Sequence, residues 1–267
     1  MFILTPIISY SCAQTSTLHI IDTSDSTEAG WWKPEPANSY QIQYEGLPVD
    51  LSVEAEIYSV DLFETPADAI QAIHQKGGRV LCYLNAGSWE TYRPDAGDFP
   101  KSVIGRDYDG WQGEKWLDIQ NFQKFGHIMT ARMDLAVEKG CDGIDLDNLQ
   151  NHREDTGFPI TSEDQLNYSI WLSENAHRRG LAASLKNAPD LAEALADQFD
   201  LVVVEDCLVY GFCDDFEIFR EKGKPVFMIE YTDHISDADA ICTIAEKNHY
   251  FGLLKNRSLD SFVEYCP

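Results

Sequence analysis

The segment GCDGIDLDNLQNH, residues 140–152, places three aspartates in an otherwise apolar run. Side chains alternate between the two faces of a strand, so Gly143, Asp145 and Asp147 share one face. Burying a carboxylate without a partner costs on the order of several kcal/mol. Two carboxylates on one face of a buried strand therefore predict a place where the fold supports chemistry.

Similar apolar runs flank this strand on both sides and alternate with helical patterns. Besides the opening motif, the predicted strands cover residues 40–44, 55–62, 79–87, 181–187, 199–206, 224–231 and 250–256. The predicted helices cover residues 65–78, 122–141, 161–180, 189–198, 213–222, 236–247 and 258–264. Thr65 is expected to cap the first helix and Gly77 to end it.

Eight strands that alternate with helices in one chain of 267 residues are typical of a single (β/α)8 TIM barrel. A doubly wound open sheet is the alternative, although no GxGxxG motif follows the first strand. The barrel is expected to span residues 31–267. Residues 1–30 are interpreted as an N-terminal segment, either the remnant of an export signal or an extension. The third strand is followed by a long irregular segment, residues 86–121, rich in aromatic residues.

Charge narrows the choice of partners. The chain has 45 acidic and 20 basic residues, a formal net charge of −25. Such a surface repels nucleic acid and anionic lipid and attracts a cationic substrate, unless it only keeps the protein soluble. No segment is long and apolar enough to predict an integral membrane span. We expect a monomer without nucleic-acid partners and without a cofactor.

Seven cysteines are many for a reducing compartment. Cys207 and Cys213 bracket a short segment, and Cys242 and Cys266 bracket the last helix and strand, so both pairs are predicted disulfides. These pairs favour export, which predicts a secreted, periplasmic or cell-surface protein.

The other three cysteines have no such pattern. Cys82 and Cys141 lie in apolar strands, where a buried free thiol is the default expectation. Cys12 follows small residues, as at a lipoprotein cleavage site, although the residues before it fit that pattern poorly.

The active site of a TIM barrel lies at the carboxyl ends of its strands. The candidate substrate-binding residues at these ends and in the segment after the third strand are Asp61, Tyr83, Asn85, Trp89, Glu90, Arg93, Asp95, Trp111, Asp145, Asn148, Lys186, Asn187, Glu230 and Tyr231. Carboxylates and amides bind sugar hydroxyls, and aromatic rings pack on the apolar faces of sugars. The predicted mouth therefore suits a carbohydrate.

Hydrolysis of a glycosidic bond uses two carboxyl groups, one protonated and one ionised. Asp147 and Glu205, on the fourth and sixth strands, are the candidate catalytic pair. Two alternatives remain open: a barrel that binds polysaccharide without cleaving it, and a sugar transferase whose Asp145 and Asp147 hold a divalent metal. The preferred hypothesis needs no metal.

The chain resembles glycoside hydrolase family 114, the endo-α-1,4-polygalactosaminidases and their barrel relatives. The likeness is carried by VDLFET, GGRVLCYLNAGSWETYRPDAGDFP, GWQGEKWLDI, ARMDLAVEKGCDGIDLDN, TGFPIT, VVVEDCLVYGFC and LLKNRSLD. Residues 145–148 read DLDN where the family usually has EPDN, and residues 204–207 read VEDC where it has NEQC. Residues 186–188 read KNA where the family has KND.

The resemblance implies a (β/α)8 barrel that cleaves α-1,4-linked, galactosamine-containing exopolysaccharide of the kind found in biofilm matrix. It places the catalytic pair at Asp147 and Glu205. By analogy with other barrels that act on α-linked sugars, we expect a retaining endo-glycosidase with Asp147 as nucleophile and Glu205 as acid/base. Retention predicts carboxyl groups about 5–5.5 Å apart, and inversion about 6.5–9.5 Å.

The resemblance also gives the acidic balance a purpose. Deacetylated galactosamine units carry ammonium groups, which carboxylates in the cleft would bind. The partner is thus expected to be a cationic or partly deacetylated polysaccharide. The candidate contacts to amine or hydroxyl groups are Asp61, Glu90, Asp95 and Glu230.

Overall fold

The computed structural model describes Met1, residues 30–235 and residues 237–266. Nearly all of the predicted N-terminal segment, with the export signal and Cys12, lies outside the described residues. Among the helices of the described residues, none has the length and apolar character needed to cross a membrane.

The described strands, in chain order, are β1 (Tyr40–Gln43), β2 (Ile57–Asp61), β3 (Arg79–Asn85), β4 (Ser88–Glu90), β5 (Ile104–Asp107), β6 (Glu114–Leu117), β7 (Gly143–Asp147), β8 (Ala182–Lys186), β9 (Leu201–Glu205), β10 (Val226–Tyr231), β11 (Phe251–Lys255) and β12 (Glu264–Tyr265). The helices are α1 (Ala67–Gln75), α2 (Gly126–Lys139), α3 (Ser162–His177), α4 (Ala192–Leu195), α5 (Cys207–Tyr210), α6 (Glu217–Glu221) and α7 (Ala238–Asn248).

Eight parallel strands form the frame of the fold. The sheet order is β1-β2-β3-β7-β8-β9-β10-β11, and the short β12 adds antiparallel to β11. The frame strands are buried on both faces, which explains their nearly continuous apolar sequences. One apolar layer fills the interior, and a second lies between the strands and the helices.

The sheet curls until its first strand meets its last. Tyr40 of β1 stacks on Phe227 of β10 with ring centroids 4.4 Å apart. The buried ammonium of Lys255 on β11 donates to the Gln41 side chain of β1 at 3.1 Å. These contacts join the two ends of the sheet around a common interior, as a barrel requires.

The helix predicted for residues 258–264 is wrong. This segment runs along the seam between β11 and β1, where the Leu259 carbonyl accepts hydrogen bonds from the amides of Tyr44 and Glu45 at 2.9 and 3.2 Å. The Asp260 carboxylate accepts from the Phe262 amide at 2.9 Å. Such side-chain bonds to the backbone compete with helix formation.

The starts of α3 and α1 are held in different ways. Thr161 and Asp164 form a reciprocal capping box at the start of α3. Thr65 does not cap α1, because the residue at the cap position is Pro66 and no side chain caps that helix. Asp61 fills this turn instead, since its carboxylate accepts from the amides of Phe63 and Glu64 at 2.8 and 2.9 Å.

The segment predicted as irregular, residues 86–121, contains an ordered three-stranded antiparallel sheet in the order β4-β6-β5. We call it the inserted sheet. Trp116 is buried there, and the Trp89 indole donates to the Ala96 carbonyl at 2.9 Å. The inserted sheet lies over the carboxyl end of β3, so it forms part of the wall around the barrel mouth.

Three disulfides link the described residues. Cys207 is bonded to Cys213 and Cys242 to Cys266, the two pairs expected from their spacing. The expectation of free thiols at Cys82 and Cys141 is wrong, because these residues also form a disulfide. They are 59 positions apart in the chain, but β3 and β7 are neighbours, which brings their Cα atoms to 5.9 Å.

Candidate active site

Sharp turns follow three frame strands at the mouth of the barrel. Asn148, Asn187 and Asp206 have left-handed backbones with φ of 61°, 53° and 54°. Asparagine and aspartate tolerate this conformation better than most residues with side chains. Each turn comes directly after a residue that faces the mouth, and these residues are Asp147, Lys186 and Glu205.

The mouth opens into a cleft of about 1680 Å³. Pockets for small molecules usually measure about 300–1,000 Å³, so this cleft has room for several sugar units. The predicted residues that line it are Asp61, Tyr83, Glu90, Arg93, Trp111, Asp147, Asn148, Lys186, Asn187, Glu205 and Tyr231. Selecting residues at the carboxyl ends of the strands, which we call the strand-end rule, therefore found both candidate catalytic carboxylates and most of the expected contacts among the residues that line the cleft.

Five predicted contacts do not line the cleft: Asn85, Trp89, Asp95, Asp145 and Glu230. Asp95 binds the Arg132 guanidinium through two hydrogen bonds of 2.8 and 2.9 Å. Asn85 is buried beneath the inserted sheet, and its amide donates to Ser88 and Glu114. These side chains support the wall of the cleft and do not reach its surface.

Asp147 is half-buried at the end of β7 and accepts a hydrogen bond from the Tyr83 hydroxyl at 2.9 Å. Burial raises the pKa of its carboxyl group, and the negative charges of Glu205 and Asp145 raise it further. The Lys186 ammonium and the Tyr83 hydrogen bond act in the opposite direction. The net effect is a raised pKa of Asp147, and these two neighbours limit the rise.

Glu205 is held by contacts to both carboxylate oxygens. The Tyr231 hydroxyl donates to Oε1, and the Asn187 amide donates to Oε2 at 3.2 Å. The Asn187 oxygen accepts from the backbone amide of Glu205 at 2.9 Å, which couples the turn after β8 to β9. The orientation of the carboxylate is therefore fixed before a substrate binds.

Lys186 is a buried cation beside both candidate carboxylates. Its ammonium lies 3.5 Å from Glu205 Oε1, and it lies above the rings of Tyr44 and Tyr83 at 5.6 and 5.5 Å from their centroids. Burial alone would lower its pKa, but the charges of Asp147, Glu205 and Asp145 hold the pKa above its usual value. Lys186 therefore supplies a permanent positive charge at the centre of the site.

Asp145 lies one layer below the cleft and is fully buried. Its Oδ2 atom is within hydrogen-bond distance of the Tyr44 and Ser59 hydroxyls, at 3.0 and 3.1 Å. A metal ion shared by Asp145 and Asp147 is not favoured, because Asp145 is turned toward these hydroxyls and away from the cleft surface.

Glu230 belongs to the layer behind the sheet. In β10, Ile229 and Tyr231 face the barrel interior, so the alternation of the strand directs Glu230 outward. Its Oε1 atom accepts from the Leu208 amide at 2.8 Å, and its buried Oε2 atom has no partner among the described residues. Burial raises the pKa of this carboxyl group from 4.5 to about 7, and the Asp206 charge contributes.

We expect the substitution Glu230→Gln to stabilise the protein at pH 8. The folded state holds the Glu230 proton more tightly than the unfolded state, so the wild type loses stability as pH rises from about 4.5 to about 7. Glutamine keeps the acceptor for Leu208 and removes the buried charge. The free energy of unfolding should therefore rise by about 1–3 kcal/mol at pH 8 and change little at pH 4. Urea unfolding at both pH values measures this, with exposed Glu193→Gln as control; equal effects at both pH values would contradict it.

Sequence reasoning missed several residues of the cleft: Tyr44, Tyr108, Glu114, Tyr210 and Arg257. Tyr44 directly follows β1, so the strand-end rule includes it. The others lie in connecting segments or in the inserted sheet, where no periodic pattern tells which way a side chain points. Arg257 covers the ring of Tyr231 at 3.9 Å, and its guanidinium donates to Asp206 at 2.6 Å, so it supports the side of the mouth near Glu205.

Comparisons with known proteins identify the family of this barrel. The family model of glycoside-hydrolase family GH114 matches residues 22–267. The crystal structure of Aspergillus fumigatus Ega3 in complex with galactosamine is 36% identical, with a TM-score of 0.84 over 89% of this chain and 98% of that chain. The glycoside hydrolase domain of PelA from Pseudomonas aeruginosa shares the fold, at 14% identity and a TM-score of 0.66 over 85% of this chain and 97% of that chain. Comparison with curated proteins gave no match.

The family match and the similarity to Ega3 define the class of the protein, which is a glycoside hydrolase. The chain belongs to glycoside-hydrolase family GH114. The predicted family, the (β/α)8 barrel and the hydrolase class are thereby confirmed.

Proposed function

We propose that the protein is a retaining endo-glycosidase that hydrolyses α-1,4-linked, galactosamine-containing polysaccharide. The observation that carries the proposal is the trio of Asp147, Lys186 and Glu205 at the bottom of a cleft with room for several sugar units. The 36% identity to Ega3, whose structure contains galactosamine, supports the choice of sugar. Residues 31–267 are proposed as the catalytic unit, acting as a monomer.

In this mechanism Asp147 is the nucleophile and Glu205 the acid/base. Glu205 protonates the leaving-group oxygen while the Asp147 carboxylate attacks the anomeric carbon, which forms a glycosyl-enzyme and frees one end of the polymer. Glu205, now ionised, removes a proton from water, and the water releases the sugar from Asp147. Tyr83 and Lys186 favour the ionised form of Asp147 that the first step requires.

The cleft is suited to a cationic polymer. Carboxylates outnumber basic groups along its walls, and most of the basic groups are paired with carboxylates, as Arg93 is with Asp61 and Glu90. A net charge of −25 would also steer ammonium-bearing chains toward the protein. Three disulfides favour an oxidising compartment, so we propose that the enzyme acts as a secreted, periplasmic or cell-surface protein.

The test is incubation of the wild type with a partly deacetylated α-1,4-galactosamine polymer. We expect reducing ends to appear with oligosaccharides of several lengths in mass spectra, because the cleft accepts internal bonds. Proton NMR of the first products should show the α-anomer. Release of monosaccharide alone contradicts endo cleavage, and a β-anomer contradicts retention. Binding without cleavage would make the protein a polysaccharide-binding barrel.

A further inference from the structure

Arg257 lies over the tyrosine that holds the candidate acid/base. The Cζ atom of its guanidinium is 3.9 Å from the centroid of the Tyr231 ring, and Tyr231 is only 3% exposed. The Tyr231 hydroxyl donates to Glu205 Oε1. A cation, an aromatic ring and a carboxylate therefore form a continuous series of contacts from the rim of the mouth to its centre.

The guanidinium is fixed by the turns that follow β9 and β10. Its Nε and Nη2 atoms donate to the two carboxylate oxygens of Asp233 at 3.1 and 3.0 Å, and its Nη1 atom donates to Asp206 at 2.6 Å. The His234 Nδ1 atom lies 2.9 Å from Nη2. Because Arg257 itself follows β11, these contacts link the ends of three neighbouring strands, β9, β10 and β11.

These contacts leave little of Arg257 for a substrate. A guanidinium has five N–H donors, and four of them are directed at Asp206, Asp233 and His234. The paired hydrogen bonds to Asp233 also fix the plane of the guanidinium. Although Arg257 lines the cleft, its hydrogen bonds are made within the protein, so we expect any effect on the reaction to pass through Tyr231.

The charge of Arg257 acts on the Tyr231 hydroxyl. Burial and the negative charge of Glu205 raise the pKa of Tyr231, whereas the positive charge of Arg257 lowers it. A more acidic phenol is a stronger hydrogen-bond donor. A cation is also attracted to the face of an aromatic ring, which keeps the ring in place. Arg257 therefore strengthens the hydrogen bond that orients Glu205.

Orientation matters most for a group that delivers a proton. In the proposed mechanism Glu205 gives its proton to the leaving-group oxygen, and a displacement of about 1 Å can cost about a hundredfold in rate. A leaving group that departs as a stable anion does not need this proton. The need for a well-placed Glu205 therefore depends on the substrate, which makes its positioning measurable.

We propose that Arg257 is a positioning residue for proton transfer by Glu205, and that it acts through the ring and the hydroxyl of Tyr231. The inference rests on the proposed function and assigns a role to a residue outside the candidate carboxylate pair. Without Arg257, the Tyr231 ring loses its cover and its hydroxyl holds Glu205 less firmly. Asp147 keeps its own hydrogen bond from Tyr83, so nucleophilic attack is not affected.

The experiment compares two substrates that differ in their need for an acid. One is the α-1,4-galactosamine polymer, and the other is a galactosamine oligomer with a dinitrophenyl leaving group. We expect Arg257→Met to lower kcat/KM, which reports the first step, about tenfold to a hundredfold on the polymer and less than about threefold on the dinitrophenyl substrate. Arg178→Met, at an exposed position at the end of α3, is the control with the same change of charge.

A double-mutant cycle shows whether the effect passes through Tyr231. Tyr231→Phe should also lower kcat/KM on the polymer, and addition of Arg257→Met to this variant should lower it less than about twofold further. Equal losses on both substrates would indicate a general structural role and would overturn the inference. Independent losses in the double variant, or a rate close to that of the wild type in Arg257→Met, would overturn it as well.

The same link is measured without cleavage. NMR of protein with isotope-labelled tyrosine Cζ reports on the Tyr231 hydroxyl, and Tyr231→Phe assigns its signal. Glu205→Gln should shift this signal when Arg257 is present and shift it less in Arg257→Met. If the wild type cleaves neither substrate but this difference is found, the proposed function fails and the link from Arg257 to Glu205 stands. Equal shifts with and without Arg257 would overturn the link, whatever the activity.

Discussion

Asp147→Asn and Glu205→Gln are each expected to lower kcat on the galactosamine polymer by at least about a hundredfold, the effect of losing a positioned acid–base group. Both substitutions are nearly isosteric. The amide oxygen of the asparagine keeps an acceptor for Tyr83, and the amide oxygen of the glutamine keeps an acceptor for one of the two donors, Tyr231 or Asn187. Folding should therefore be preserved, and near-ultraviolet circular dichroism checks this. The measurement is the rate of reducing-end release by purified variants.

Added azide separates the two roles. Azide can attack the glycosyl-enzyme without help from a base, so it should restore turnover of Glu205→Gln on a substrate with a good leaving group. Asp147→Asn forms no glycosyl-enzyme, so the same intermediate is not available for azide to intercept. Rescue of Asp147→Asn with retention of the anomer, and none of Glu205→Gln, would reverse our assignment. Activity close to that of the wild type in either variant would exclude the pair.

Lys186→Met is expected to cause a large loss of folding stability. Removal of one partner from a buried charge cluster costs about 3–5 kcal/mol, because the remaining charges lose their compensation. The folded protein holds the Lys186 proton more tightly than the unfolded chain, so this contribution is present below the usual lysine pKa and is lost only at higher pH. Unfolding by urea at pH 7 measures the loss of stability.

The same substitution should change the pH dependence of the reaction. Lys186 lowers the pKa of Asp147, so its removal raises that pKa, and the acid limb of the kcat/KM profile should move to higher pH. Lys186→Arg retains the charge and should leave the limb near its wild-type position, even if the larger side chain reduces the rate. An unchanged acid limb in Lys186→Met would show that Lys186 does not control the ionisation of Asp147.

The frame of the barrel and the position of the candidate catalytic pair at its mouth were accessible from the sequence because both follow simple periodic rules. Apolar runs such as LVVV mark strands that are buried on both faces, and the residue that ends such a run lies at the mouth. The same period of two also separates Tyr231, which faces the interior, from Glu230, which does not. Strict use of the alternation corrects the prediction for Glu230 without a structure.

Other features depend on contacts between distant parts of the chain. The disulfide of Cys82 and Cys141 follows from the adjacency of β3 and β7, which the sequence implied only through the barrel topology. Glu114 becomes part of the cleft because β6 pairs with β4 in a small sheet that no strong pattern predicts. The segment after Lys255 looks helical by composition, but its backbone bonds to β1 decide its course.

The disulfide between Cys82 and Cys141 closes a loop of the chain that contains the inserted sheet and α2, and we call this loop the cassette. Its two ends are bonded to each other at the frame, one in β3 and the other just before the adjacent β7, and everything between them belongs to one loop of the chain. Doubling the length of a closed loop costs only about 0.6 kcal/mol, so residues inside the cassette can be inserted or exchanged with little effect on the barrel. One wall of the cleft can thus diversify in evolution, or be transplanted between related enzymes, while the carboxylates of β7 and β9 stay in place.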